Sequence, residues 1–205
     1  MRRITQEPVR NFTTFRAPAP EAPPFEVIQD KDGNETGIRL KGALTTFEKV
    51  NENGQTWTRT AYDDGIAGYF AENNLSVPLD LMHQRDLMHL AGRVEVLRKT
   101  EEGVELEAYI PKGVYFYNLI KTLLSNGILQ GFSNYGYVTR GEVDDDEVLH
   151  VEAFQLVSAS LVDVPADTGA RFLQNVTRLE GFEQNLTEVT PSDKVSMTAL
   201  PLFMY

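Results

Sequence analysis

The chain has no cysteine among its 205 residues. That excludes disulfides, thiol nucleophiles and Cys-ligated zinc, and it fits a reducing compartment. Histidine is scarce as well: His83, His89 and His150 are the only imidazoles available. Positive charge is in short supply, with 19 Lys and Arg against 30 Asp and Glu and a net charge of −11. No direct nucleic-acid role is expected, because phosphate contacts need clustered cations. No apolar run reaches transmembrane length, so no membrane partner is expected. The start, Met1-Arg2-Arg3-Ile4-Thr5, lacks an apolar signal core, and export is not expected. The densest acidic run, Glu142 to Glu147, lacks the ligand spacing of a calcium loop and reads as a solvated hairpin tip. No metal or cofactor is expected.

Hydrophobic residues make up 41% of the chain and charged residues 24%, which suits an ordinary globular core. The length suits one domain with extensions. Residues 1–24 end in a proline-rich stretch, Arg16 to Pro24, and read as a flexible arm. Residues 25–179 form the expected domain. Residues 180–205 read as a tail, polar at first and apolar from Val195 to Tyr205.

Within the domain, Phe25 to Gln29 and Ile38 to Phe47 read as strands around the turn Lys31-Asp32-Gly33-Asn34. Thr56 to Thr60 is β-like. Tyr62 to Asn73 places Ile66, Tyr69 and Phe70 on one helical face. Val77 to His83, Ala91 to Leu97 and Val104 to Ile110 read as strands. A helix opens at Pro111-Lys112-Gly113 and runs to Ser125, with Phe116, Leu119, Ile120 and Leu123 as its apolar stripe and Asn126-Gly127 as its stop. Ile128 to Arg140 and Val148 to Val164 are strand-rich, and Ala170 to Leu179 suits a short last helix. About seven strands follow one another largely without intervening helices. This favours a mainly β (α+β) chain, a largely antiparallel β-barrel with peripheral helices, over a doubly wound parallel sheet.

Two segments carry chemistry. Val77-Pro78-Leu79-Asp80-Leu81-Met82-His83 delivers an imidazole at a strand end, and Gly131-Phe132-Ser133-Asn134-Tyr135-Gly136-Tyr137 delivers a hydroxyl between glycines. A serine becomes a nucleophile when a base takes its proton, and histidine titrates near working pH. Taken singly, each has a plainer reading, as a half-buried histidine bonded to backbone and as a strand serine beside bulges. A third segment, Leu156 to Ala166, holds Ser158 in the middle of an apolar run, where a polar side chain needs a partner. His150 lies too far along the same run for both it and Ser158 to reach His83, and His89 is favoured as a surface residue.

Together these segments resemble the prohead protease family of tailed bacteriophages, relatives of the herpesvirus assemblins. The resemblance spans roughly residues 36–175. It rests on the strand ending at His83, Gly92-Arg93-Val94, the helix followed by Gly131-Phe132-Ser133 and the Gly136-Tyr137 pair, and Ser160-Leu161-Val162-Asp163-Val164-Pro165-Ala166 with Arg171 after it. It implies an assemblin-like β-barrel and a serine endopeptidase with Ser133 as nucleophile and His83 as general base. The third family position, a His or an acid, falls here on Ser158, with Glu152, Asp163, His89 and His150 as alternatives. Arg171 or backbone N–H groups near Gly169 are the candidate oxyanion donors. The resemblance also implies an enzyme in the host cytoplasm, packaged within the viral procapsid as a homodimer or oligomer. Its substrates would be scaffold and major capsid protein, and the chain itself. The alternative is a catalytically inactive assembly or scaffolding factor on the same fold.

Overall fold

The computed structural model describes residues 22–63, 68, 70, 73 and 75–173. The arm up to residue 21, most of the expected helix from Tyr62 to Asn73, and the tail lie outside the described residues. Eight strands form one mixed sheet. They are β1 (Phe25–Gln29), β2 (Glu35–Thr46), β3 (Gln55–Trp57), β4 (Pro78–Leu81), β5 (Leu90–Lys99), β6 (Gly103–Pro111), β7 (Gly131–Val143) and β8 (Leu149–Val162), and helix α1 (Tyr117–Ser125) lies between β6 and β7. The strand order is β1-β2-β6-β5-β4-β8-β3, and β7 pairs with β8. Five pairings are antiparallel and two, β4 with β8 and β3 with β8, are parallel.

The apolar residues set this order. Ile38 and Leu40 on β2 face Ile110 and Ala108 on β6 in register, and all four are fully buried. Trp57 packs edge-on against Phe154 at 4.6 Å and stacks on Tyr62 at 5.8 Å, which pins the short β3 to β8. Helix α1 covers the core with Tyr117, Ile120 and Leu124. The expected stripe is displaced: Leu119 faces solvent, and Phe116 and Leu123 are only partly buried. The helix also begins at Tyr117, several residues after Pro111. Its stop is as expected. Gly127 has φ +66°, its N–H reaches the Leu124 carbonyl, and the Ile128 N–H reaches that of Leu123, a left-handed cap that glycine adopts without steric cost.

The expected last helix is not formed over its described part. Residues 170–173 are extended and bridge two strands. Ala43 N–H donates to the Arg171 carbonyl and Leu173 N–H to that of Lys41, while Phe132 N–H donates to Ala170 and Phe172 N–H to Gln130. Phe172 stacks edge-on against Phe132 at 4.8 Å. These are isolated bridges, so the sheet is not closed into the expected barrel by a continuous ladder.

Gly131 makes this crossing possible. A Cβ there would lie 2.0 Å from the Ala170 carbonyl oxygen and 3.0 Å from Pro165 Cγ. Gly131→Ala is therefore expected to destabilise the protein by about 1–3 kcal/mol, the usual cost of overpacking. Urea unfolding checks this as a lower midpoint with an unchanged slope.

Candidate active site

Strand β8 lies between β4 and β7, and Ser160 is where the two registers meet. Ser160 is opposite Asp80 on parallel β4 and opposite Ser133 on antiparallel β7. Residues directly opposite each other across a sheet share a face. Asp80, Ser160 and Ser133 therefore form a row across three strands. Ser158, two residues earlier on β8, lies on the same face.

His83 joins this row from the end of β4. The strand ends at Leu81, earlier than expected, because Met82 and His83 have φ +55° and +58° and cannot continue the ladder. Gln84 N–H donates to the Leu81 carbonyl at 3.0 Å, so the four residues make a tight turn with both central residues left-handed. Such a conformation costs roughly 1–2 kcal/mol per non-glycine residue. Met82 N–H on the Leu161 carbonyl and Leu81 N–H on that of His89 hold the turn in place. Arg85 lies over the Tyr135 ring at 5.3 Å and ties the following loop to β7.

The turn swings the imidazole back over β8. His83 Nε2 is 3.1 Å from Ser133 Oγ, and His83 Nδ1 is 2.9 Å from Ser160 Oγ. Ser160 Oγ donates to Asp80 Oδ1 at 2.5 Å, and Ser158 Oγ donates to Asp80 Oδ2 at 2.9 Å. Asp80, Ser158 and Ser160 are buried, while His83 and Ser133 are half-buried. Ser133 and His83 open onto a cleft of about 160 Å³. Its walls include Leu44, Trp57, Val162 and Val164, with Asn51 and Asp163 among the polar groups. Burial pushes the His83 imidazole below its ordinary range, and the Asp80 charge partly opposes that shift. The ring is thus held neutral, as a proton acceptor must be.

Of the expected residues, the structure brings Ser133 and His83 into contact. The hydroxyl at the second imidazole nitrogen is that of Ser160, two residues from the expected Ser158. Ser158 instead anchors Asp80. Asp80 was not among the expected site residues. A lone acid in the apolar run Val77 to Leu81 was its signal, since a buried carboxylate requires donors.

The alternatives are engaged elsewhere. His89 Nδ1 is 2.8 Å from both Asp86 oxygens, and its ring lies 5.3 Å from that of Phe116. His150 pairs with Asp144 at the exposed β7–β8 hairpin, and Glu152 pairs with Arg140. Asp163 lines the cleft mouth, exposed, and accepts the Val164 N–H. Arg171 extends along the surface to Gln130 Oε1 and the Thr168 carbonyl. The Gly169 N–H is taken by Asp167, which also binds the Thr46 N–H and hydroxyl. Among the described residues, no group of three or more His, Asp or Glu side chains could hold a metal ion. None of the described helices is long and apolar enough to cross a membrane.

No family model and no curated protein matches the sequence. Solved structures do. The chain is similar to the capsid assembly protease of bacteriophage T4, with a TM-score of 0.52 at 15% identity over 66% of this chain and 88% of that one. It is also similar to the KSHV protease, with a TM-score of 0.41 at 14% identity over 67% of this chain and 64% of that one. The varicella-zoster virus protease gives a TM-score of 0.37 at 12% identity over 66% and 63%. The match thus spans a little under two thirds of each herpesvirus chain. The fold is that of the phage capsid assembly protease: mostly β, one mixed sheet, few helices.

Ser158 tests the anchoring of Asp80 without touching His83. Ser158→Ala leaves one buried carboxylate oxygen without its serine donor, and is expected to cost about 1–3 kcal/mol. Thermal and urea unfolding measure that loss.

Proposed function

We propose that the chain is a serine endopeptidase of phage procapsid maturation. On this reading it works inside the procapsid, as a homodimer or oligomer, and cleaves scaffold and major capsid protein segments and itself. One observation carries the reading: the half-buried His83 imidazole sits 3.1 Å from the Ser133 hydroxyl at an open cleft, and burial favours its neutral form. The likeness in fold to a phage capsid assembly protease supplies the setting.

The chemistry follows from the two side chains. Ser133 Oγ attacks the scissile carbonyl carbon as its proton passes to His83 Nε2. The tetrahedral intermediate collapses, the C–N bond breaks, and the leaving amine takes the proton from Nε2. A water molecule then gives its proton to Nε2 and attacks the acyl carbon, and as the C–O bond to Ser133 breaks the proton passes from Nε2 back to Ser133 Oγ and the acid leaves.

The test mixes the full chain with the capsid and scaffolding proteins of its phage and follows processing on a gel. Ser133→Ala and His83→Ala are each expected to lower the rate by about a thousandfold or more. Equal processing by wild type and Ser133→Ala removes Ser133 from the mechanism. A wild-type chain that processes nothing, yet is required for particle assembly, favours the inactive assembly factor.

The pH profile has a definite sign. Activity needs neutral His83, and burial lowers its pKa. The rate is expected to be level through neutral pH and to fall only on acidification below the ordinary histidine range of about 6.5. The same shift acts on stability. The unfolded chain binds the proton more readily, so the contribution is complete above that ordinary pKa and is lost as pH falls toward the folded value.

A further inference from the structure

Ser160 has one hydroxyl proton and two neighbours. Asp80 Oδ1, 2.5 Å away, belongs to a carboxylate whose other oxygen also accepts from a serine. A carboxylate only accepts, so the Ser160 proton goes to Asp80. The Ser160 oxygen must then accept from His83 Nδ1, 2.9 Å away. A neutral imidazole protonated at Nδ1 has its lone pair at Nε2, the nitrogen that faces Ser133. Donors therefore run in one direction, from Ser133 Oγ–H to Nε2, from Nδ1–H to Ser160 Oγ, and from Ser160 Oγ–H to Asp80.

The geometry points to Asp80 as a positioning residue for the Ser133–His83 pair, acting through the Ser160 hydroxyl to fix the imidazole tautomer and to stabilise the imidazolium. The inference rests on the reading of Ser133 and His83 as nucleophile and base. Only one proton moves in the chemical step, from Ser133 to Nε2. Ser160 keeps its proton, Asp80 keeps its charge, and the new positive charge on the ring is balanced by a carboxylate one hydroxyl away. Burial of Asp80, Ser158 and Ser160 excludes bulk water from this chain, so its polarisation is poorly screened. The Ser160 hydroxyl is thus a connector to a charge.

The test uses the full-length chain, a fluorophosphonate probe and the rate of covalent labelling measured across the histidine titration range. Ser133→Ala should not label. Asp80→Asn keeps the shape and removes the charge, and should label about a hundredfold more slowly. Its acid limb should also move to lower pH, because the Asp80 charge raises the proton affinity of His83 and its removal lowers it. A role confined to packing would leave that limb in place. Ser160→Ala breaks the connection and should slow labelling similarly. In the wild type, nitrogen NMR of the three histidines should show neutral His83 protonated at Nδ1.

If Ser133→Ala is inert while Asp80→Asn labels at the wild-type rate with an unmoved acid limb, the relay is overturned and the nucleophile assignment stands. If Ser133→Ala labels like the wild type, the assignment beneath the relay fails and the relay falls with it. Should Asp80→Asn fail to fold, the wild-type tautomer decides: Nδ1–H upholds the relay, and Nε2–H overturns it.

Discussion

A carboxylate with 1% of its surface exposed must find hydrogen-bond donors, or the strand that carries it cannot close against its neighbour. Asp80 finds them in two serines on β8, and that requirement fixes the parallel register of β4 against β8. A slip of one residue would turn Asp80 to the opposite face, away from both hydroxyls. The same β8 residue, Ser160, faces Ser133 on β7. The buried carboxylate thus aligns three strands, and the alignment places a hydroxyl within reach of an imidazole.

The imidazole is delivered at a cost. Two consecutive residues of ordinary chirality sit in the left-handed region at Met82 and His83, a conformation retained only when the surroundings enforce it. Backbone bonds to Leu161 and His89 supply that enforcement, and the ring's two nitrogens are both occupied. A histidine at the end of a straight strand would point away from β7. The reversal at Met82-His83 turns Nε2 toward Ser133, so the strain and the reactive contact have one origin.

Much of this was legible in the sequence, and for physical reasons. Apolar runs of strand length between turn residues located the described strands other than β3, which the β-branched run from Thr56 to Thr60 marked, because burial of alternate or continuous apolar faces is what a sheet requires. The Asn126-Gly127 stop was legible because few residues adopt a positive φ without cost. The pairing of His83 with Ser133 was implied by the resemblance of these segments to the phage prohead proteases, not by any local pattern. Periodicity could not separate Ser158 from Ser160. Residues two apart on a strand share a face, and only the register with β4 decides which of them meets the imidazole. Asp80 went unread for a related reason: its partners are some eighty residues away, and nothing local to Val77–Leu81 says which strand will lie beside it. Residues 170–173 looked helical in composition, yet hydrogen bonds to β2 and β7 hold them extended, tertiary pairing outweighing local preference.

The fold is shared with a phage capsid assembly protease at low sequence identity, and fold alone does not carry an activity. The activity rests on whether the Ser133 hydroxyl is a nucleophile. The most direct measurement is to react the folded wild-type chain with an active-site phosphonate and map the modified residue by mass spectrometry. The account predicts a single adduct, on Ser133, that fails to form when His83 is replaced by alanine. An adduct on another residue, or none on folded protein at neutral pH, would contradict it.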